Sequence, residues 1–333
     1  MKVTAPSKVI LLGEHAVVYN KLGISASTAE STEIVLEDIP DGITISYYRD
    51  KVSVAYSKQQ VFEITEKFYR LFDEKNFDEI KKMNFNESFC VIYKKLIDKF
   101  GYRPIRMVIK MKRSLKGLGG SSSTFAAFCL AYARLMNGNI TTKEIAEIAN
   151  LGDTVSHGGT PSGIDANSVA YGGYLTYKKS EGPRPLDIDF EIPIIIVNSG
   201  KPATTSKTVA YVRKQREENQ EFVDSIMNNL DEITNNALSA LKEKDLKTVG
   251  KLMYDYYEEL KKMKISTDEL DKIINISREN NALGSKPTGG WGGGNCLVLA
   301  ENSEKAQELV GIYKKNGFDA FITKLGVSGV KDD

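Results

Sequence analysis

The run GLGGSSST, residues 117–124, sits between RPIRMVIKMKR, whose alternating apolar residues predict a strand, and FAAFCLAYARLMNG, which predicts a buried helix. A helix start carries unsatisfied N–H groups and the positive end of the helix dipole. Glycines ahead of it let the backbone approach an anion closely, so strand, glycine turn and helix together form a ready phosphate cradle. Serine hydroxyls add donors, and one of them can ligate Mg²⁺. The plainer reading of the same residues is a tight turn closed by a serine cap. The run is not a P-loop, because no Lys-Ser/Thr follows at the required spacing, and it lacks the third glycine of a dinucleotide fingerprint.

The chain around this run has 333 residues, long for one core and comfortable for two domains. Its 45 Lys+Arg against 44 Asp+Glu leave a formal charge of +1, which argues against a broad nucleic-acid footprint. The three cysteines, Cys90, Cys129 and Cys296, are far apart and form no CxxC pair, so neither a disulfide framework nor a zinc site is expected. Lys8, Glu14 and His15 interrupt the apolar N-terminal run, which therefore reads as neither a signal peptide nor a membrane span. A cytoplasmic protein with no membrane or nucleic-acid partner is the expectation.

KVILLGEHAVVY and ITISYYRDKVSVAY read as β-structure, and NESFCVIYKKLIDKFG as a helix ending at Gly101. A helix from 123 to 137 should follow the serines, and Thr142 should cap another in TTKEIAEIANLGD. FEIPIIIVNSG is a buried strand, 204–282 is almost wholly helical, and the tail runs glycine loop (SKPTGGWGGGN), strand, helix, strand. A polar, proline-containing stretch puts a domain boundary near 180–190. The mixed order of elements predicts an α+β chain and not a doubly wound parallel sheet.

Two further segments carry chemistry. APSKVILLGEHAVVY, residues 5–19, brings Lys8, Glu14 and His15 into a short apolar context. DTVSHGGTPSGID holds the only other histidine, His157, between Asp153 and Asp165. Each histidine could be structural, and Asp165 could cap a helix, act as a base or ligate a metal.

Taken together, the segments resemble the GHMP kinase superfamily, and within it the mevalonate kinase branch of archaeal type. APSKVILLGEHAVVY is similar to that branch's APGKxxLxGEHAVVxG, GLGGSSS to GLGSSAA, HGGTPSGIDANSVAYGG to HGxPSGxDxxVSxxGG, and KPTGGWGGGNCLVL to KLTGAGGGGC. The resemblance implies a two-domain fold. Residues 1–185 would be an N-terminal domain of ribosomal protein S5 type, and 186–333 a ferredoxin-like C-terminal domain with a long helical insertion. It also implies the cofactors ATP and Mg²⁺. Asp165 matches the catalytic aspartate and Lys8 its lysine partner. Gly117, Leu118, Gly119, Gly120, Ser121, Ser122 and Ser123 match the ATP-binding stretch. Asp153, in place of the family's glutamate, and Ser122 or Ser121 match the metal ligands. Glu14, His15, His157, Ser162, Gly163, Thr205, Gly289 and Gly290 match substrate-side positions. Ser7 stands where the first motif has glycine, and Trp291 and Asn295 depart from the third.

The reaction so implied is ATP-dependent phosphorylation of the 5-hydroxyl of mevalonate, a step of isoprenoid synthesis. A related kinase acting on an already phosphorylated mevalonate is the alternative, with Lys201, Lys207 and Arg213 as a cluster that could serve the extra phosphate or merely form a solvated face. A non-catalytic binding protein of the same fold is the rival from another class. The family often forms homodimers; the sequence itself does not show one.

Overall fold

The computed structural model describes residues 2–111, 117–159, 161–203 and 205–332, apart from the side chain of Ser206. Residues 112–116, which join the expected strand to the glycine run, lie outside the described residues. The N-terminal apolar run is β1 (Lys2–Leu12), paired antiparallel with the long β2 (Gly23–Asp38); a 3-10 turn at Ala16–Tyr19 links them. The alternating stretch beyond is the hairpin β3 (Ile43–Tyr47) and β4 (Val52–Tyr56). α1 (Lys58–Asp73), the single turn α2 (Phe77–Ile80) and α3 (Glu87–Phe100) precede β5 (Ile105–Met111). Then come α4 (Gly120–Leu135), α5 (Thr142–His157), α6 (Ile164–Tyr171) and the hairpin β6 (Tyr174–Lys178) and β7 (Gly182–Leu186).

These strands form one sheet in the order β12-β1-β2-β5-β3-β4, with β6 and β7 added beside the first half of β2; β12 (Lys331–Asp332) returns from the chain's end. Only β3 and β5 run parallel among its paired strands, as the mixed order of elements predicted. Three details differ from the sequence reading. α4 begins at Gly120, so the serines form its first turn and not a loop. α5 is capped by Thr141, whose hydroxyl and Glu144 complete a capping box, and Thr142 is its first helical residue. α5 also runs on to His157, which ends a helix instead of lying in a turn.

A second sheet, antiparallel in the order β11-β8-β10-β9, is built from β8 (Ile194–Asn198), β9 (Gly284–Thr288), β10 (Asn295–Leu299) and β11 (Asp319–Thr323). Between β8 and β9 run α7 (Thr205–Glu218), α8 (Gln220–Lys242), α9 (Leu246–Lys261) and α10 (Asp268–Glu279); α11 (Ser303–Lys315) joins β10 to β11. This is the βαββαβ order of a ferredoxin-like unit with extra helices in its first crossover. SKPT, expected in a loop, is strand β9, because its five residues Gly284–Thr288 pair in register with β10.

α4 is apolar almost all round because it is buried almost all round, from Ser122 to Ala133. Phe125 and Phe128 pack edge-on or tilted against Phe89 and Tyr93 of α3, and each fully buried ring contributes about 1.5–3 kcal/mol. The second core joins the ferredoxin-like sheet and α8–α10 to Val9, Leu11 and Leu12 of β1, so apolar packing is continuous between the two sheets. Among the described residues no helix is long and apolar enough to cross a membrane.

α9 lies so close to β9 that a Cβ on Gly250 would stand 2.3 Å from the Leu283 carbonyl oxygen. Alanine gains about 1 kcal/mol of helix propensity over glycine, but a clash with backbone costs about 1–3 kcal/mol and wins here. Gly250→Ala should therefore lower unfolding stability by up to about 2 kcal/mol in urea titration; a stabilised variant would show that this contact relaxes freely.

Candidate active site

A cavity of ≈ 890 Å³ opens between the two sheets, walled by β1, the first turns of α4 and α6, the end of α5, and loops of the ferredoxin-like half. Lys8 and Ile10, two residues apart on β1, face it together, as strand alternation requires. The Lys8 ammonium, almost wholly buried, lies 2.8 Å from Asp165 Oδ1. Asp165 sits in the first turn of α6, where the helix dipole stabilises its negative charge, and its side chain is 26% exposed to the cavity.

The glycine run is shaped around that lysine. Gly119 is left-handed, with φ 74°, and a Cβ on it would lie 2.8 Å from Lys8 Cγ. No other residue could turn the chain into α4 there without pushing the lysine aside. The backbone N–H of Lys8 donates to Leu118 O at 2.9 Å, and Ser7 Oγ donates to the same oxygen. Gly117, Gly119, Gly120 and Ser121 line the cavity. Leu118 does not; its side chain is core and its carbonyl anchors β1. Ser123 also turns away, donating to Ala5 O at 2.9 Å.

Asp153 and His157 are one helical turn apart at the end of α5, and both line the cavity. Asp153 Oδ2 accepts from Ser122 Oγ at 2.6 Å and Oδ1 from Ser121 Oγ at 3.3 Å. Burial pushes the Asp153 carboxyl up to about 6; His157 and the two hydroxyls oppose that shift, and Asp165 adds to it. A buried carboxylate short of positive charge, with hard oxygen donors beside it, fits a divalent cation. Among the described residues no group of three or more His, Cys, Asp or Glu could hold a metal. That donor set suits Mg²⁺, which keeps waters and phosphate oxygens in most of its coordination sphere. Ser121 faces the cavity, whereas Ser122 is fully buried behind it.

The remaining residues expected on the substrate side converge on the same space. Glu14, His15, Ser162, Gly163, Thr205, Gly289 and Gly290 all line it. His15 Nε2 lies 3.2 Å from Gly290 O, and Thr208 donates to that oxygen as well. Burial holds the His15 imidazole down to about 4, with the Gly290 contact opposing. Of the basic cluster, Arg213 reaches the cavity wall; Lys201 instead pairs with Glu269 at 3.2 Å. Trp291 departs from the third motif without entering the cavity: it is buried, stacked on Tyr257 with ring centroids 5.9 Å apart.

Sequence reasoning missed two features. Tyr47, Arg49, Asp50, Phe77 and Phe85 also line the cavity, contributed by the β3–β4 hairpin and the α2 region. Nothing in their spacing ties them to the glycine motifs. Lys286 is the other; it pairs with Glu14 in the interior. A lone lysine amid SKPT offers no sequence signal beyond its place in the third glycine motif.

Two family models match the chain: GHMP kinases N terminal domain over residues 87–173, and GHMP kinases C terminal over 237–319. The chain is 29% identical to a mevalonate kinase of Thermococcus gammatolerans, covering 98% of this chain and 97% of that one. The crystal structure of the Methanococcus jannaschii mevalonate kinase superposes with a TM-score of 0.79 at 26% identity, covering 98% of each chain. A further fold neighbour, L. major mevalonate kinase in complex with R-mevalonate, has a TM-score of 0.76 at 23% identity, covering 99% of this chain and 97% of that one.

The His15 imidazole sets a pH dependence. Its folded value of about 4 lies below the ordinary 6.5, so as pH falls through 6.5 the unfolded chain takes up a proton that the folded chain refuses. This residue's contribution is intact above 6.5, is lost between 6.5 and 4, and amounts to about 3 kcal/mol at most. His15→Gln should flatten that part of the stability–pH curve in urea titrations; an unchanged slope would show that His15 protonates freely in the fold.

Proposed function

The chain belongs to the GHMP kinases, and from that premise we propose that it transfers the γ-phosphoryl group of ATP to the 5-hydroxyl of mevalonate. The observation that carries the reading is the Lys8–Asp165 pair facing the N-terminus of α4 across one cavity. Similarity to mevalonate kinases over nearly the whole chain supports mevalonate as the acceptor.

In this reading the triphosphate lies along Gly117–Ser121, where the free N–H groups of the first α4 turn meet its charge. The adenine lies against Tyr47, Phe77 and Phe85 of the cavity wall. Asp153, with Ser121 and Ser122, would hold Mg²⁺, which neutralises phosphate charge when bound. Mevalonate lies on the side of Glu14, His15 and Thr205. Asp165 takes the proton of the 5-hydroxyl as that oxygen bonds to the γ-phosphorus and the bond to the β-phosphate oxygen breaks, releasing ADP. Lys8 stabilises the Asp165 charge beforehand and the developing alkoxide afterwards. We place the domain boundary near residue 185, at the end of β7 and ahead of β8, which sets the cavity between the two domains.

The alternative, an already phosphorylated acceptor, would find only Arg213 of the basic cluster in the cavity wall. Lys201 is engaged with Glu269, and Lys207 is not in the wall. ADP release should be measured with mevalonate, 3-phosphomevalonate and 5-phosphomevalonate as acceptors in parallel. Turnover on mevalonate with phosphate at O5 is expected; turnover on a phosphorylated acceptor alone would move the enzyme to the rival step. Asp165→Asn should lose far more than tenfold in kcat (about 1.4 kcal/mol per tenfold) while keeping its ATP affinity. A variant retaining a tenth of the rate would remove Asp165 from the role of base.

A further inference from the structure

Glu14 and Lys286 form an ion pair with both side chains buried, Lys286 completely. They come from different halves of the molecule: Glu14 follows β1 of the first sheet, and Lys286 is in β9 of the second. The lysine is fully occupied. Its ammonium donates to Glu14 Oε1 and to Pro287 O at 2.8 Å, and it sits 5.4 Å from the centre of the Tyr256 ring. Tyr256 in turn donates from its hydroxyl to the Glu14 backbone carbonyl at 2.7 Å. Glu14 is thus gripped at its main chain and at one carboxylate oxygen.

The other oxygen, Oε2, is buried and has no hydrogen-bond partner among the described residues. Glu14 lines the cavity; Lys286 does not, and stands behind it. A buried carboxylate oxygen without a donor is costly, so its placement beside the acceptor space points to a donor that arrives with the substrate. Another carboxylate would be repelled there, and the nearby Lys8 ammonium is held by Asp165. A neutral hydroxyl is the donor that fits. Mevalonate carries two: the primary one that reacts, and a tertiary one that does not.

We propose that Lys286 is a positioning residue that aims Glu14 Oε2 at the unreactive tertiary hydroxyl of the acceptor, making that hydroxyl a determinant of specificity. The inference rests on the reading of the acceptor given above. Lys286 cannot touch substrate and acts through Glu14 alone. It also explains why a charged pair is kept at a seam where apolar residues would pack at lower desolvation cost.

The test compares mevalonate with 5-hydroxy-3-methylpentanoate, which lacks the tertiary hydroxyl, in the wild type and in Lys286→Met, Lys286→Arg and Glu14→Gln. The wild type should prefer mevalonate by about tenfold or more in kcat/KM, as for a hydrogen bond to a charged group. Lys286→Met and Glu14→Gln should shrink that preference through the KM for mevalonate, leaving the KM for ATP within about twofold. Lys286→Arg should restore part of it. If Lys286→Met does not fold, Glu14→Gln decides alone. Equal use of both acceptors by the wild type would overturn the proposal. So would a preference that survives in the variants while Tm falls, since the pair would then be only a brace. A wild type inactive on mevalonate would sink the proposed function and this inference with it; turnover with an undiminished preference in the variants sinks the inference alone.

Discussion

Burying the Lys8 ammonium is the constraint around which the cavity is organised. An isolated charge in the interior costs several kcal/mol, which only a well-placed partner offsets. Asp165 supplies the partner at 2.8 Å, and meeting it imposes conditions on three segments at once. β1 must hold its register so that Lys8 faces inward. The chain before α4 must pass the lysine stem with no Cβ at Gly119. α6 must begin close enough for its first turn to present Asp165. Removing any one of them leaves a buried charge unmatched. The same geometry that stabilises the fold at this point also places a carboxylate beside a helix start, where the proposed reading puts the base and the phosphates.

The second buried pair, Lys286 with Glu14, does for the two halves what Lys8 with Asp165 does within the first. Both bring a lysine out of a strand to a carboxylate at the cavity wall. They differ in solvent access: Asp165 remains partly open, whereas Glu14 is closed off. Burial raises the Glu14 carboxyl and lowers the Lys286 ammonium, each opposed by the attraction between them. The pair that stays open to solvent is suited to exchanging a proton with a substrate, and the closed one to fixing the direction of a carboxylate.

Much of this was legible in the sequence where chemistry and backbone geometry coincide. A glycine-serine run at a strand-to-helix junction announces the turn into α4, because few residues other than glycine can make that turn. The α+β order could likewise be read, since β3 with β5 is the sole parallel pairing in the first sheet. What escaped depended on tertiary placement. The serines of 121–123 look alike in sequence, yet one faces the cavity, one is buried on Asp153 and one is tied to Ala5, because successive helical residues point about 100° apart. SKPT reads as loop beside so many glycines, and only pairing with β10 makes it a strand. The basic residues Lys201, Lys207 and Arg213 looked like a cluster, but an acidic neighbour on α10 takes the first of them away.

The departures from the family motifs follow the same logic, since a changed residue matters by where its side chain goes. Ser7, in place of a glycine, sends its hydroxyl to the Leu118 carbonyl and so adds a tie between β1 and the anion loop. Trp291 faces Tyr257 in the second core, and its bulk never enters the cavity. Asp153 is one methylene shorter than glutamate, and two serine hydroxyls from α4 reach it at 2.6 and 3.3 Å. A shorter carboxylate held this way keeps its oxygens fixed relative to the α4 N-terminus, where the phosphates lie in the proposed reading. Each of these three changes therefore falls behind the cavity wall or is met by a neighbour, and Lys8 and Asp165, which face the cavity, are the groups that the proposed phosphoryl transfer requires.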